Sequence, residues 1–166
     1  MRTLILLSAI PGSGKSTWAK RFAQDHPNTF IVASDEVRVA VAGAPQDFSK
    51  EDLVWKTFLD EINHYAETYK DCYVIADSTN LLNQYRSFYY HNTPAFDKHV
   101  LVVFNIPLQI CLDQNKMRKT SRIVPEHAMK MMYEQFEKPS DEVMDLYDEV
   151  MFIGKTYHSD KINVEK

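Results

Sequence analysis

The sequence predicts an α/β fold, with a mostly parallel sheet of about five strands flanked by helices. Three observations carry this. Thr3–Ala9 is a near-continuous apolar run, the pattern of a strand buried on both faces of a parallel sheet. Further short apolar runs recur at Phe30–Ala33, Tyr73–Ala76, Val100–Phe104 and Glu149–Ile153. Helical periodicity fills the gaps, and strands that alternate with helices imply crossover connections between parallel strands.

Taken in order, the elements have local reasons. The first helix is expected over Ser16–Asp25, where Trp18, Ala19, Phe22 and Ala23 fall on one stripe. Ser49 with Asp52 reads as a capping box that opens a helix ahead of the third strand. Pro107 and Pro125 each suit a first helical turn. Met129, Met132, Tyr133 and Phe136 stand at helical spacing and read as core. Gly154–Lys166 shows no period and reads as a loose C-terminal tail, so the folded domain is expected over residues 1–153.

Composition narrows the class. The 166 residues suit one domain, and 45% hydrophobic with 25% charged residues is ordinary globular usage. Collagen, coiled coil and wholesale disorder are excluded. A net charge of −4 excludes a generally basic nucleic-acid coat protein and leaves a local basic groove open. The two cysteines, Cys72 and Cys111, are too few and too far apart for a disulfide scaffold or zinc ribbon and read as reduced core thiols. The six histidines show no metal-ligand spacing. The apolar stretch within Met1–Ile10 is too short for a membrane span and lacks the pattern of a cleavable signal. A cytoplasmic protein without membrane partners is the expectation.

Four motifs carry the chemistry. Pro11-Gly12-Ser13-Gly14-Lys15-Ser16-Thr17 stands between the first strand and the first helix. Glycines let successive backbone N–H groups curl around a phosphate, and the helix N-terminus adds a positive dipole end. Lys15 then reaches the β- and γ-phosphates of ATP, and the Ser16 hydroxyl is placed to ligate Mg²⁺. The full pattern G-x-x-x-x-G-K-[ST] has glycine where this chain has Ala9. The second motif, Ser34-Asp35-Glu36-Val37-Arg38, follows the second strand. Ligands of open α/β sheets bind beyond the carboxyl ends of the strands, so Asp35 is a candidate base for an attacking hydroxyl. Arg38, one turn on, is a candidate for holding an anionic acceptor; the competing reading is a helix N-terminal charge beside a solvated arginine.

The third motif, Asp77-Ser78-Thr79-Asn80, ends the third strand. Asp77 there can hold a metal's water shell, with Thr79 and Asn80 bonding substrate, while turn chemistry is the plainer use of these residue types. The fourth is the basic segment Asn115–Arg122, which carries Lys116, Arg118, Lys119 and Arg122 without an acid. As a lid spanning about 115–124, it would neutralise charge on a transferred phosphoryl group through Arg118 or Arg122. Its alternative is a solvated face at a helix end. Tyr85, Phe88, Tyr89 and Tyr90 suit helix packing better than base stacking.

Together these residues resemble the polynucleotide 5′-hydroxyl kinase-like family of P-loop kinases, which includes the kinase domain of phage polynucleotide kinase. The resemblance covers most of residues 1–153. It implies a P-loop NTPase-like sheet with a helical lid. Lys15 and Ser16 would serve ATP and Mg²⁺, Asp35 would be the general base, Arg38 the acceptor-phosphate ligand, and Arg118 the lid arginine that follows Asn115. Gln114 stands where the family often has arginine, and the spacing from the lid to Val124-Pro125 is one residue longer than in the phage enzyme. The expected reaction is transfer of the γ-phosphoryl group of MgATP to a nucleic-acid 5′-hydroxyl. A nucleoside, sugar or aminoglycoside acceptor is the alternative, and a nucleotide-dependent switch without transfer the remote one.

Overall fold

The computed structural model describes residues 1–154; the predicted tail beyond Gly154 lies outside the described residues. The elements run β1 (Arg2–Ser8), α1 (Lys15–Asp25), β2 (Thr29–Ala33), α2 (Ser34–Ala42), α3 (Glu51–Thr68), β3 (Cys72–Asp77), α4 (Asn83–His91), β4 (Lys98–Phe104) and α5 (Leu108–Lys116). A short 3₁₀ turn at Thr120–Arg122 precedes α6 (Glu126–Gln135), α7 (Asp141–Leu146) and β5 (Glu149–Ile153). The five strands form one sheet in the order β2-β3-β1-β4-β5, and every pairing is parallel.

β1 sits in the middle because its residues have no face for water. Leu4 and Leu6 join the core on one side with Phe58 and Ile62 of α3, and Ile5 and Leu7 join the other with Ala19 of α1 and Met129 of α6. Each leucine, isoleucine, phenylalanine or methionine among them, fully buried, contributes about 1.5–3 kcal/mol. The all-parallel order puts the carboxyl ends of β1, β2 and β3 side by side, and those ends carry the first three motifs. Cys72 and Cys111 are buried free thiols.

Local details depart from expectation. The first strand is Arg2–Ser8 rather than Thr3–Ala9, because Ala9 already turns to donate its N–H to Thr79 O. Ser49 does not cap α3: the N-cap is Lys50, and the Ser49 hydroxyl donates to Asp47 Oδ1 at 2.6 Å instead. Pro107 and Pro125 stand at the N-cap positions of α5 and α6, one residue ahead of the first turn. Met129 is core and Met132 and Phe136 pack against it, the latter from just past the end of α6, whereas Tyr133 is exposed.

Candidate active site

The glycine-rich loop links β1 to α1. Gly12 (φ 79°) and Gly14 (φ 92°) both adopt left-handed backbone, and Gly14 is the N-cap of α1. Gly12 has a second constraint, since a Cβ there would lie 2.2 Å from Cys111 O and 3.2 Å from Asn115 N of α5. The loop therefore rests directly on the helix whose end begins the basic segment. Ser13 Oγ is buried and, among the described residues, has no hydrogen-bond partner. An unsatisfied hydroxyl in a left-handed loop at a helix N-terminus suits a bound phosphate, which would accept the hydrogen bond that the protein does not.

Behind the loop, Ser16 Oγ donates to Asp77 Oδ2 at 2.8 Å. Asp77 ends β3 almost fully buried, and it pairs in register with Ala33 at the end of β2. Asp35 follows two residues later in the first turn of α2. The loop, Asp77 and Asp35 thus lie along three neighbouring strand ends. A serine hydroxyl beside one carboxylate is a donor set suited to Mg²⁺, which binds few protein ligands and keeps waters and phosphate oxygens.

Asp35 is where the separate motifs converge. Its Oδ1 accepts from Arg38 Nη1 at 3.2 Å, and its Oδ2 lies 3.5 Å from Arg118 Nη2 and 3.6 Å from Arg122 Nη1. Arg118 and Arg122, between which the sequence left the choice open, therefore both reach the same carboxylate. Their segment is anchored by Asn115, whose amide donates to Val124 O at 2.7 Å and accepts from Val124 N at 3.1 Å. The backbone turns from α5 into the 3₁₀ turn between those two residues.

Arg38 is only 5% exposed, more enclosed than an arginine awaiting a ligand from solvent would need to be. Glu51, at the start of α3, grips it through two bonds, Nε to Oε2 at 2.9 Å and Nη2 to Oε1 at 2.8 Å. Pro45 O accepts from Nη1 at 3.5 Å, and the guanidinium carbon lies 4.8 Å from the Phe48 ring centre and 5.7 Å from that of Trp55. The fork-to-fork pair fixes the plane of the guanidinium and hence its bond to Asp35.

A family model described as AAA domain matches residues 4–139. The chain belongs to this AAA domain family. Among its relatives is the L-seryl-tRNA(Sec) kinase of Methanococcus maripaludis, 28% identical over 144 residues that make up 82% of this chain and 53% of the relative. The chain thus spans about half the length of that curated relative. A chain of the Pnkp1/Rnl/Hen1 RNA repair complex matches with a TM-score of 0.71 at 20% identity, covering 89% of this chain and 46% of the other. A gluconokinase from Sinorhizobium meliloti matches with a TM-score of 0.60 at 18% identity, covering 93% and 83%. At these identities the likeness is one of fold, and the fold of this AAA domain is that of the P-loop kinases.

One predicted site residue of this AAA domain, Asn80, has its side-chain amide engaged within the fold. Asn80 is buried in a left-handed conformation (φ 44°), and its amide donates to Leu7 O at 2.8 Å, so it fastens the β3–α4 turn to β1 rather than facing a substrate. Thr79 is half-buried, and the Ala9 N–H that it accepts goes to its backbone carbonyl, a bond that does not involve the side chain. Glu51 braces Arg38, and Asn115 anchors the segment that carries Arg118 and Arg122. Arg86 on α4 belongs to none of the four motifs. Fully buried beneath the turn, it donates to Ser8 Oγ at 2.9 Å, Asn83 Oδ1 at 2.8 Å and Leu81 O at 3.2 Å. Burial lowers its pKa to about 10, with Glu137 and Tyr147 opposing the shift, so it stays charged at neutral pH.

Proposed function

We propose that this chain is an ATP-dependent phosphotransferase that moves the γ-phosphoryl group of MgATP to a hydroxyl acceptor, the 5′-hydroxyl of a nucleic acid being the first choice. The observation that carries the reading is Asp35, a carboxylate at the same end of the sheet as the glycine-rich loop, with β3 between them, and contacted by arginines of both α2 and the basic segment. A nucleotide switch has no use for a carboxylate held at that place.

In this reading the loop residues 11–17 hold the phosphates of ATP, with Lys15 bridging the β- and γ-groups. Ser16 and, through water, Asp77 would hold Mg²⁺, which would supply charge neutralisation on the phosphate oxygens. Asp35 accepts the acceptor hydroxyl's proton as its oxygen bonds to the γ-phosphorus, and the bond from that phosphorus to the β–γ bridging oxygen breaks, releasing ADP. Arg118 and Arg122 exchange Asp35 Oδ2 for the phosphoryl oxygens, which frees the base while stabilising the charge that develops. Arg38, braced by Glu51, aligns Asp35 and borders the acceptor.

A small-molecule acceptor is favoured by one observation. The Arg38 guanidinium already serves Glu51, Asp35 and Pro45, which leaves it little capacity to grip an acceptor phosphate. Labelled γ-phosphate should decide. With MgATP, transfer to a 5′-hydroxyl oligonucleotide exceeding that to nucleosides, sugar acids and aminoglycosides supports the first choice. Transfer confined to one of the small molecules would replace it, and nucleotide turnover with no acceptor labelled would remove the transferase reading.

A further inference from the structure

The connection between α2 and α3 presents a solvent-facing phenylalanine beside the acceptor-side ion pairs. Phe48 is 57% exposed, although a free apolar ring next to a charged cluster gains nothing from water. Lone exposed apolar side chains are common and need no explanation, but this one is built in. On its N-terminal side Pro45 is buried, and its carbonyl accepts from Arg38. On both flanks Asp47 and Ser49 tie the chain down, the Asp47 carboxylate accepting from Ser49 N at 3.0 Å and Ser49 Oγ at 2.6 Å. The ring itself lies against the guanidinium of Arg38, the same group that bonds Asp35. Phe48 is therefore held in place without being covered.

Resting on the proposed transferase reading, we infer that Phe48 is a specificity-determining residue: its exposed ring is a stacking platform for the nucleobase of the acceptor's terminal nucleoside. The argument is one of spacing and chemistry. Arg38 touches both Phe48 and Asp35, so an acceptor whose hydroxyl meets Asp35 has the Phe48 ring within reach on the far side of one shared guanidinium. A nucleoside has that shape, a hydroxyl at one end and a flat π surface at the other, with the sugar between. Stacking tolerates any base, since every base has a π face. Electron-poor guanidinium on the ring's inner side also favours a second aromatic partner outside. Sugar acids and aliphatic alcohols have no flat ring for this surface.

The experiment compares two oligonucleotide acceptors that differ only at the 5′-terminal residue, one carrying its base and one abasic, with the full chain and MgATP. Wild-type protein should show a KM lower by about 5- to 100-fold for the base-bearing acceptor, the usual worth of one stacked base. Phe48→Ala should erase that difference by raising the KM of the base-bearing acceptor alone. Phe48→Trp should restore it, and Phe48→Leu, which keeps bulk against Arg38 without a π face, should not. Equal wild-type KM values for the two acceptors would overturn the platform and leave the kinase reading intact. A rise in both acceptor KM values in Phe48→Ala, or restoration by Leu, would also overturn it, because Phe48 would then act only by packing on Arg38. If wild-type protein phosphorylates a small molecule that carries no base and neither oligonucleotide, the nucleic-acid reading fails and the platform falls with it.

Discussion

Asn115→Ala should separate lid placement from folding. The side chain is 3% exposed, and its amide is the clip that holds Val124 N and O as the chain returns from the 3₁₀ turn towards α6. Alanine removes both bonds and leaves a backbone donor and acceptor without their partner. Val124 is half-buried, so water recovers part of the loss, and the net cost is about 1–3 kcal/mol. That cost falls on a segment outside the sheet, so it is spent on the position of Arg118 and Arg122 rather than on global stability. A cost of about 2 kcal/mol shifts the ratio of placed to displaced segment by roughly 30-fold, so kcat should fall by about 10- to 100-fold. Stopped assays of labelled phosphate transfer, read beside thermal unfolding, would measure both quantities. Asn115→Asp keeps the acceptor for Val124 N and loses the donor to Val124 O, so it should fall between. A kcat within twofold of wild type in Asn115→Ala would refute the claim that this clip positions the arginines.

Three other perturbations follow from the same geometry. Lys15→Ala should abolish transfer and weaken ATP binding, and full activity in a folded variant would remove the ATP site from the glycine-rich loop. Glu51→Gln leaves Arg38, 6% exposed at its side chain, without its bidentate partner; since Glu51 itself is 29% exposed, the cost should be about 1–3 kcal/mol by urea unfolding, and an unchanged midpoint would contradict it. His99 is buried, and desolvation holds its pKa below the ordinary 6.5 despite its bond to Thr93 and the charge of Asp148. The unfolded chain then takes up a proton that the fold resists, so this contribution to stability is intact above about pH 6.5 and declines as the pH falls towards the folded value. Tm measured down that range should drop in wild type and flatten in His99→Gln; parallel curves would show that another group governs the slope.

Residues close together in the chain were legible; those joined only by the fold were not. The strand–loop–helix signature and the acids at Asp35 and Asp77 stood out because each follows an apolar run directly. Strand order was hidden, since periodicity reports burial and not neighbours, and it is the order β2-β3-β1 that brings Asp35 beside the loop. Glu51 looked like any acid in a first helical turn; only α2 packing on α3 reveals its grip on Arg38. Arg86 occupies a polar position in an aromatic-rich helix, and nothing nearby signals that three neutral oxygens await it. The Ser49 cap failed for a local reason of its own, competition from Asp47 two residues back. Asn80 has a side chain whose chemistry suits a substrate, whereas its left-handed backbone and its bond to Leu7 O, which give it a place in the turn, depend on the fold.

The central claim is that Asp35 takes the proton of an acceptor hydroxyl during phosphoryl transfer, and Asp35→Asn tests it most directly. Asparagine keeps the size of the side chain and an oxygen for the surrounding arginines, while removing the group that can accept a proton. With labelled γ-phosphate and a 5′-hydroxyl oligonucleotide, kcat should fall by about 10²–10⁴ while MgATP affinity stays within a few fold of wild type. Normal kcat with weakened MgATP binding would contradict the account and move Asp35 to the metal, leaving Asp77 as the carboxylate to test for the base.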